Sequence, residues 1–280
     1  MDTIATASPP NRVSNMLILA RFELSKLFLN TRGIIALIAF ALVWGLILLY
    51  PIKSASAILL NPSFEELING VFGPNTLNEL FQWQVAELAV FWCAALYLFP
   101  LFSIGISADQ FASDRTRGTF RFLSLRASRD SIFFGRFIGQ MIIQMVLVAI
   151  TVVATILLAT VREPSLLIPA SISGALVTLN LLIILLPYTA IMAILSLYAT
   201  TARQATIYAI ILWALISIVI AVFHSQFPSI DGLQWVLPGA QLSMMINTQG
   251  LGSLAYAPIP LIQTAVLLII GRQYMQRIAL

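Results

Sequence analysis

The sequence is poor in charge, in cysteine and in histidine. Of its 280 residues, only 9% are charged, against about a quarter in soluble domains. Its 1 cysteine, Cys93, excludes a disulfide framework and a cysteine-based metal site. Its 1 histidine, His224, excludes zinc motifs that need a pair of histidines. These absences together exclude an ordinary globular enzyme and the common zinc-binding classes.

A phosphate-binding loop is also missing. Such a loop ends in Gly-Lys-Ser or Gly-Lys-Thr, whereas Lys26 and Lys53, the lysines of this chain, follow a serine and an isoleucine. The chain therefore has no ATP site of this type. We expect it to be no enzyme by itself and to contain no catalytic, cofactor-binding or metal-binding residues.

The sequence is rich in long apolar stretches. Its hydrophobic content is 60% and its mean hydropathy is +0.96. Most of the apolar residues lie in uncharged windows at 33–52, 88–108, 137–161, 164–202, 204–230 and 232–271. A helix needs about 20 apolar residues to cross a bilayer core of about 30 Å. The sequence therefore predicts an all-α membrane protein in which residues 1–280 form a single transmembrane domain with six transmembrane helices.

The basic residues set the predicted orientation. With a cytoplasmic N-terminus, all of the 15 Lys and Arg except Lys53 and Arg162 lie on the cytoplasmic side, as the positive-inside rule requires. No basic soluble domain is left to bind nucleic acid. Splitting either 164–202 or 232–271 into two spans weakens this asymmetry, and splitting both leaves it almost intact. We adopt six spans with both termini cytoplasmic.

The predicted spans and the segments between them follow from the windows. The spans lie at about 34–50, 88–107, 135–160, 166–198, 205–223 and 257–271. The fourth contains Pro187, where we expect a kink. Pro238 and several glycines interrupt the apolar sequence before the last span, which favours a re-entrant outer hairpin.

Two further segments carry polar residues of interest. Residues 12–32 have the pattern of an amphipathic interfacial helix at the inner membrane surface, with Arg21, Glu23 and Lys26 among its polar residues. Inside the spans, Gln140, Gln144 and Asn180 either line a pathway or bond neighbouring helices.

The most concentrated polar stretch is the predicted cytoplasmic loop 108–134, between the second and third spans. Its acidic, basic and aromatic residues alternate with a Gly-Thr pair. The residues of interest are Asp109, Asp114, Arg115, Arg117, Gly118, Thr119, Phe120, Arg121 and Phe122. A loop that is basic only because it is cytoplasmic explains the arginines but not the acids, the Gly-Thr pair or the aromatics.

This loop resembles the membrane subunits of ABC-2 type transporters. The run Asp114-Arg115-Thr116-Arg117-Gly118-Thr119-Phe120, continuing to Leu125-Arg126-Ala127-Ser128-Arg129, is similar to the stretch that follows the second span in that family. The resemblance extends to the surface helix, the six spans and the hairpin before the last span. Where the family often has Glu, this chain has Asp114.

The resemblance implies a permease, the membrane subunit of an ABC exporter in a bacterial plasma or inner membrane. The loop 108–134 would be a coupling loop, seated on a separate ATPase present in two copies that binds ATP with magnesium. Phe120 and Phe122 would be apolar anchors, and charge reversal at Asp114 or Arg117 would weaken ATPase association. A second copy of this chain, or a related permease, would complete the transporter. The alternative is a non-transport membrane scaffold or assembly factor.

Overall fold

The computed structural model describes residues 12–61, 63–64, 66, 78–226, 231–246, 248 and 250–278, and the elements found there are helical. We number the α-helices in chain order: α1 Arg12–Phe28, α2 Thr31–Ile47, α3 Lys53–Leu59, α4 Asn78–Phe81, α5 Ala86–Ser107, α6 Ala112–Thr116, α7 Thr119–Arg126, α8 Arg129–Arg162, α9 Leu167–Tyr198, α10 Ala202–Gln226, α11 Leu242–Ile246 and α12 Pro258–Arg277.

Within this part of the chain, six helical stretches are long and apolar enough to cross a membrane. They are Gly33–Leu59, Ala86–Thr116, Arg129–Arg162, Pro164–Tyr198, Ala202–Gln226 and Leu251–Arg277. The predicted fold class, an all-α membrane protein with six transmembrane helices, is thereby confirmed. The long window 164–202 forms a single span, because α9 continues through Pro187.

The first span, Gly33–Leu59, is longer than the predicted 34–50. A π-helical turn, Leu48–Ile52, joins α2 to α3 and contains Pro51. Proline inside an α-helix lacks the backbone N–H and its ring clashes with the preceding turn. The wider π turn accommodates this ring, so the helix continues to Leu59.

In the segment 231–256, the described residues 231–246, 248 and 250–256 form short turns around one five-residue helix, α11. Its backbone carbonyls accept hydrogen bonds from the bundle: Trp92 Nε1 donates to Met245 O at 3.1 Å and Tyr188 Oη to Pro238 O at 3.1 Å. Non-helical backbone at membrane depth requires such cover. The re-entrant depth of this segment stays a prediction.

The core lies where α5, α8 and α9 pack together. Its largest fully buried side chains include Phe91, Trp92, Leu181 and Leu185. In contrast, α10 exposes most of its apolar side chains, such as Ile210. Exposed apolar surface of this extent suits contact with lipid or with another membrane subunit rather than with water.

Candidate functional site: the polar loop and its buried ion cluster

The polar loop, residues 108–134, forms a compact double turn at one end of the bundle. Its helices α6 and α7 meet at Gly118, whose φ of +68° lies in the left-handed region that favours glycine. Thr119 Oγ1 donates to the carboxylate of Asp114 at 2.8 Å and closes this turn. Asp109 accepts a hydrogen bond from Ser113 N at 3.1 Å at the start of α6.

A buried arginine joins the polar loop to the rest of the molecule. Arg136 lies on α8 and is 3% exposed. Its guanidinium donates to the Asp114 carboxylate and to the Gln110 carbonyl. Its Nε lies 3.9 Å from Glu23 Oε1 on α1. We call Glu23, Asp114 and Arg136 the ion cluster.

Aromatic rings pack against the guanidinium of the ion cluster. The Arg136 Cζ atom lies 5.3 Å from the ring centroid of Phe111 and 5.8 Å from that of Phe120. The two rings stack on each other with centroids 6.0 Å apart. A guanidinium over aromatic faces is attracted by their negative charge density, so the rings stabilise the cation while excluding water from it.

Burial changes the protonation of Glu23. The removal of this carboxyl from water raises its pKa above the usual 4.5, although the nearby Arg136 and Lys26 act in the opposite direction. Lys26 and Arg21, the other two residues singled out on α1, are exposed. The three therefore do not share one polar face: Glu23 points into the protein and the two basic residues point away from it.

Helix α1 packs closely against α8 through two glycines. A Cβ atom added at Gly135 would lie 2.9 Å from Leu19 Cβ, and one added at Gly139 would lie 3.1 Å from Ala20 Cα. The sequence Gly-x-x-x-Gly thus provides the small face against which α1 sits. This contact brings Glu23 to Arg136.

Further arginines attach the polar loop to the ends of other helices. Arg115 Nη1 donates to the carbonyls of Leu197 and Tyr198 at the C-terminus of α9, both at 2.8 Å. Arg129 Nη1 donates to Gln276 O at 2.7 Å and to Ile278 O at 2.8 Å, at the end of α12. Cations are favoured at helix C-termini, where carbonyls lack partners.

The predicted loop residues therefore separate into two groups. Asp114 and Phe120 face inward, and because Phe120 is only 6% exposed, most of its ring contacts the interior; its role as an apolar anchor stays a prediction. Arg117, Arg121 and Phe122 face outward, with Phe122 72% exposed. Residues 120 and 122 lie about 200° apart around a helix of 3.6 residues per turn, so they face opposite sides.

The outward residues border a groove of about 490 Å³. Its walls include Arg117, Arg121 and Phe122 from the loop and Leu197 and Ile278 from the ends of α9 and α12. Leu125, on the same helix as Phe122, is 83% exposed. We call Arg117, Arg121, Phe122 and Leu125 the outward face.

The buried amides of the spans have different surroundings. Gln144 Nε2 donates to Ser107 Oγ at 3.2 Å and to Thr189 Oγ1 at 2.9 Å, and so joins α5, α8 and α9. Asn180 Nδ2 donates to Ser253 Oγ at 2.8 Å. Gln140 is 5% exposed. Gln144 thus bonds helices together, whereas Asn180 borders a cavity at the other end of the bundle.

Sequence reasoning missed Arg136 and the two glycines. In the sequence, Arg136 is one of several basic residues beside a predicted span, and nothing in the charge count distinguishes it from them. The signal that could have located the contact is Gly135-x-x-x-Gly139, a known packing motif of membrane helices, one residue from a charge inside an apolar run.

Six helices long enough to span a membrane, an ion cluster and a polar loop attached to the C-terminal ends of α9 and α12 are the features of a multi-pass membrane protein of the transport-permease class. The chain belongs to the ABC-2 transporter family: the family model described as ABC-2 family transporter protein matches residues 17–271. A comparison with curated proteins finds no match.

Proposed function

We propose that this chain is the permease subunit of an ATP-driven exporter and that the outward face of the polar loop docks on a separate ATPase. The family supports a transport permease. The observation that carries the coupling proposal is the combination of an outward-facing, basic and apolar surface with an inward-facing ion cluster in the same loop.

The composition of the outward face suits a protein partner. Phe122 and Leu125 are large apolar side chains with more than two thirds of their surface exposed, and Arg117 and Arg121 flank them. Aromatic and arginine residues are the usual centres of binding energy in protein interfaces. The matching surface on the ATPase would be an apolar cleft with acidic residues at its rim.

Hydrogen bonds and ion pairs attach the loop to several helices, so a force that the ATPase exerts on the loop would move the spans. Arg136 connects the loop to α8 and α1, Arg115 connects it to α9, and Arg129 connects the start of α8 to α12. A displacement of the outward face would therefore displace α1 and three spans together. ATP, with magnesium, would be bound and hydrolysed on the partner.

The proposed assembly has two permeases and two ATPases in a bacterial inner membrane, with both termini of this chain cytoplasmic. The second permease would be a copy of this chain or a related one. The exposed apolar side chains of α10 and α2 provide surface for such a neighbour and for lipid.

The test is co-purification of the complex under mild extraction from membranes of the source cells, with mass-spectrometric identification and an ATP turnover assay. Arg117→Glu and Phe122→Asp are expected to reduce ATPase recovery at least about tenfold, as loss of an interface anchor does. Arg203→Glu, an exposed charge reversal outside the polar loop, is the matched control and should leave recovery unchanged. Recovery of the chain alone, without any ATPase, would contradict the proposal and favour the scaffold alternative.

A further inference from the structure

A second feature lies at the distal end of the bundle, which is the end opposite the polar loop. A cavity of about 370 Å³ opens there between the start of α5, the first turns of α9 and the segment 231–256. This volume lies within the roughly 300–1,000 Å³ typical of small-molecule sites.

The described side chains of the cavity wall are uncharged. The described residues that line it are Gln82, Trp83, Gln84, Trp92, Ser173, Leu176, Val177, Asn180, Thr248 and Ser253, and none is charged. The buried carboxylate of Glu87 at this end of the bundle is paired with Arg162, whose Nε lies 2.6 Å from Glu87 Oε1. None of these described side chains would compensate the charge of a phosphate or an ammonium group, and burying an uncompensated charge is costly.

The wall offers amides, hydroxyls and indole rings instead. Asn180 is 3% exposed, and its Nδ2 donates to Ser253 Oγ at 2.8 Å and to Leu176 O at 3.0 Å, which fixes the amide at the wall. Trp92 is fixed in the same way through Met245 O, at 3.1 Å. An ordered set of polar groups beside apolar side chains is typical of a ligand site.

One donor on this wall lacks an acceptor. The Nε1 atom of Trp83 is buried and has no hydrogen-bond partner among the described residues. Buried indole N–H groups are usually paired, because leaving one unpaired costs free energy. An oxygen atom of a bound molecule would satisfy it.

We propose that this cavity binds an uncharged, hydroxyl-bearing ring, that is, a sugar unit, either free or as the headgroup of a lipid. A ring hydroxyl would donate to Asn180 Oδ1, others would pair with Gln84 and the Trp83 N–H, and the C–H faces of the ring would pack on apolar side chains of the wall such as Leu176. Its role as a site for cargo rests on the proposed transport function. The binding itself requires neither ATP nor an ATPase.

The test is equilibrium binding to the full chain in nanodiscs of phosphatidylethanolamine and phosphatidylglycerol. The probes are radiolabelled methyl β-glucoside and octyl β-glucoside below its micelle concentration. Octyl phosphocholine and octyl sulfate are the charged competitors of equal chain length. Binding of both glucosides assigns the site to a sugar unit, and binding of octyl β-glucoside alone assigns it to a glycolipid headgroup.

Substitutions in the cavity wall test whether the glucosides bind in this cavity. Asn180→Leu, of similar volume, is expected to weaken binding about tenfold and Trp83→Phe about threefold, as loss of one or two hydrogen bonds does. Trp235→Phe changes a tryptophan outside the cavity wall and should leave binding unchanged. Trp83→Phe keeps the test decisive if Asn180→Leu does not fold.

Three results would overturn the proposal: no binding of either glucoside, equal displacement by a charged competitor, or unchanged affinity in both cavity variants. Sugar binding in a chain that recovers no ATPase would instead contradict the transport proposal and leave this site in place. The two failures are therefore distinguishable.

Discussion

Arg136, inside a membrane-spanning helix, donates a hydrogen bond to the carboxylate of Asp114 in the polar loop. This pairing gives Asp114 a structural role, because its carboxylate holds the loop against α8. Charge reversal at Asp114, to Lys for example, would place a second cation beside Arg136 and remove the carboxylate that attaches the loop to α8. Loss of ATPase association in that variant would then report misfolding of the loop rather than loss of a docking contact.

The first prediction concerns the ion cluster. Arg136→Leu removes the only described cation that contacts both Glu23 and Asp114. Breaking a buried pair from one side costs about 3–5 kcal/mol, because it leaves an unpaired charge in the interior. The variant should therefore unfold at a clearly lower temperature in detergent. Arg121→Leu, at an exposed position of the same loop, is the control and should unfold within a degree or two of the wild type.

The second prediction concerns the contact between α1 and α8. Gly139→Ala adds a Cβ atom 3.0 Å from Glu23 Cβ and 3.1 Å from Ala20 Cα, so α1 must shift by a few tenths of an ångström. Overpacking of this kind costs about 1–3 kcal/mol. Gly105→Ala is a matched control, because nothing lies within 4 Å of the added atom. Thermal unfolding should separate the two variants, and equal midpoints would show that the close approach has no energetic consequence.

The third prediction is a pH dependence that originates at Glu23. Because burial raises its pKa in the folded protein, the proton binds more tightly in the folded state than in the unfolded state. The resulting stabilisation is complete below the unfolded pKa, near 4.5, and is lost as the pH rises through the raised folded value.

The measurement is the difference in unfolding midpoint between the wild type and Glu23→Gln, which cannot titrate. As the pH falls from 8 to about 5, the wild type should gain stability relative to the variant. A wild type that loses stability relative to Glu23→Gln on acidification would show that the pairing with Arg136, rather than burial, determines the protonation of Glu23.

The fourth prediction concerns the turn at Gly239. Its φ is +99°, and an added Cβ atom would lie 2.3 Å from Tyr188 Oη. Gly239→Ala should therefore destabilise the segment 231–256 by more than about 1 kcal/mol, through backbone strain and the clash. Tyr188→Phe removes the clashing oxygen, so Gly239→Ala should cost less in that background. Equal costs in both backgrounds would attribute the effect to backbone strain alone.

The sequence allowed the spans to be predicted because bilayer thickness imposes a length on apolar runs. The π turn at Pro51 could not be predicted from hydropathy, because it depends on how one ring fits the preceding turn. Segment 231–256 has no periodicity; its conformation depends on contacts with distant residues such as Trp92 and Tyr188.

Composition alone indicates the polar loop as the candidate site, but it does not indicate which residues of the loop are buried and which are exposed. Alternation of acids, bases and aromatics marked the loop, whereas the buried partner of Asp114 lies 22 residues along the chain. Helical geometry alone places Phe120 and Phe122 on opposite faces, but it does not say which one is buried. That choice depends on Phe111, which stacks on Phe120.

Cross-linking tests the central claim most directly. In a Cys93→Ser background, which contains no other cysteine, a cysteine replaces Leu125 on the outward face or, as the control, Leu251 at the distal end. Both side chains are more than two thirds exposed. The account predicts that a short cross-linker joins the ATPase to the Leu125→Cys variant, with a yield that changes when ATP is added, and not to the Leu251→Cys variant. Equal yields from both positions, or none from Leu125→Cys in complexes that hydrolyse ATP, would contradict it.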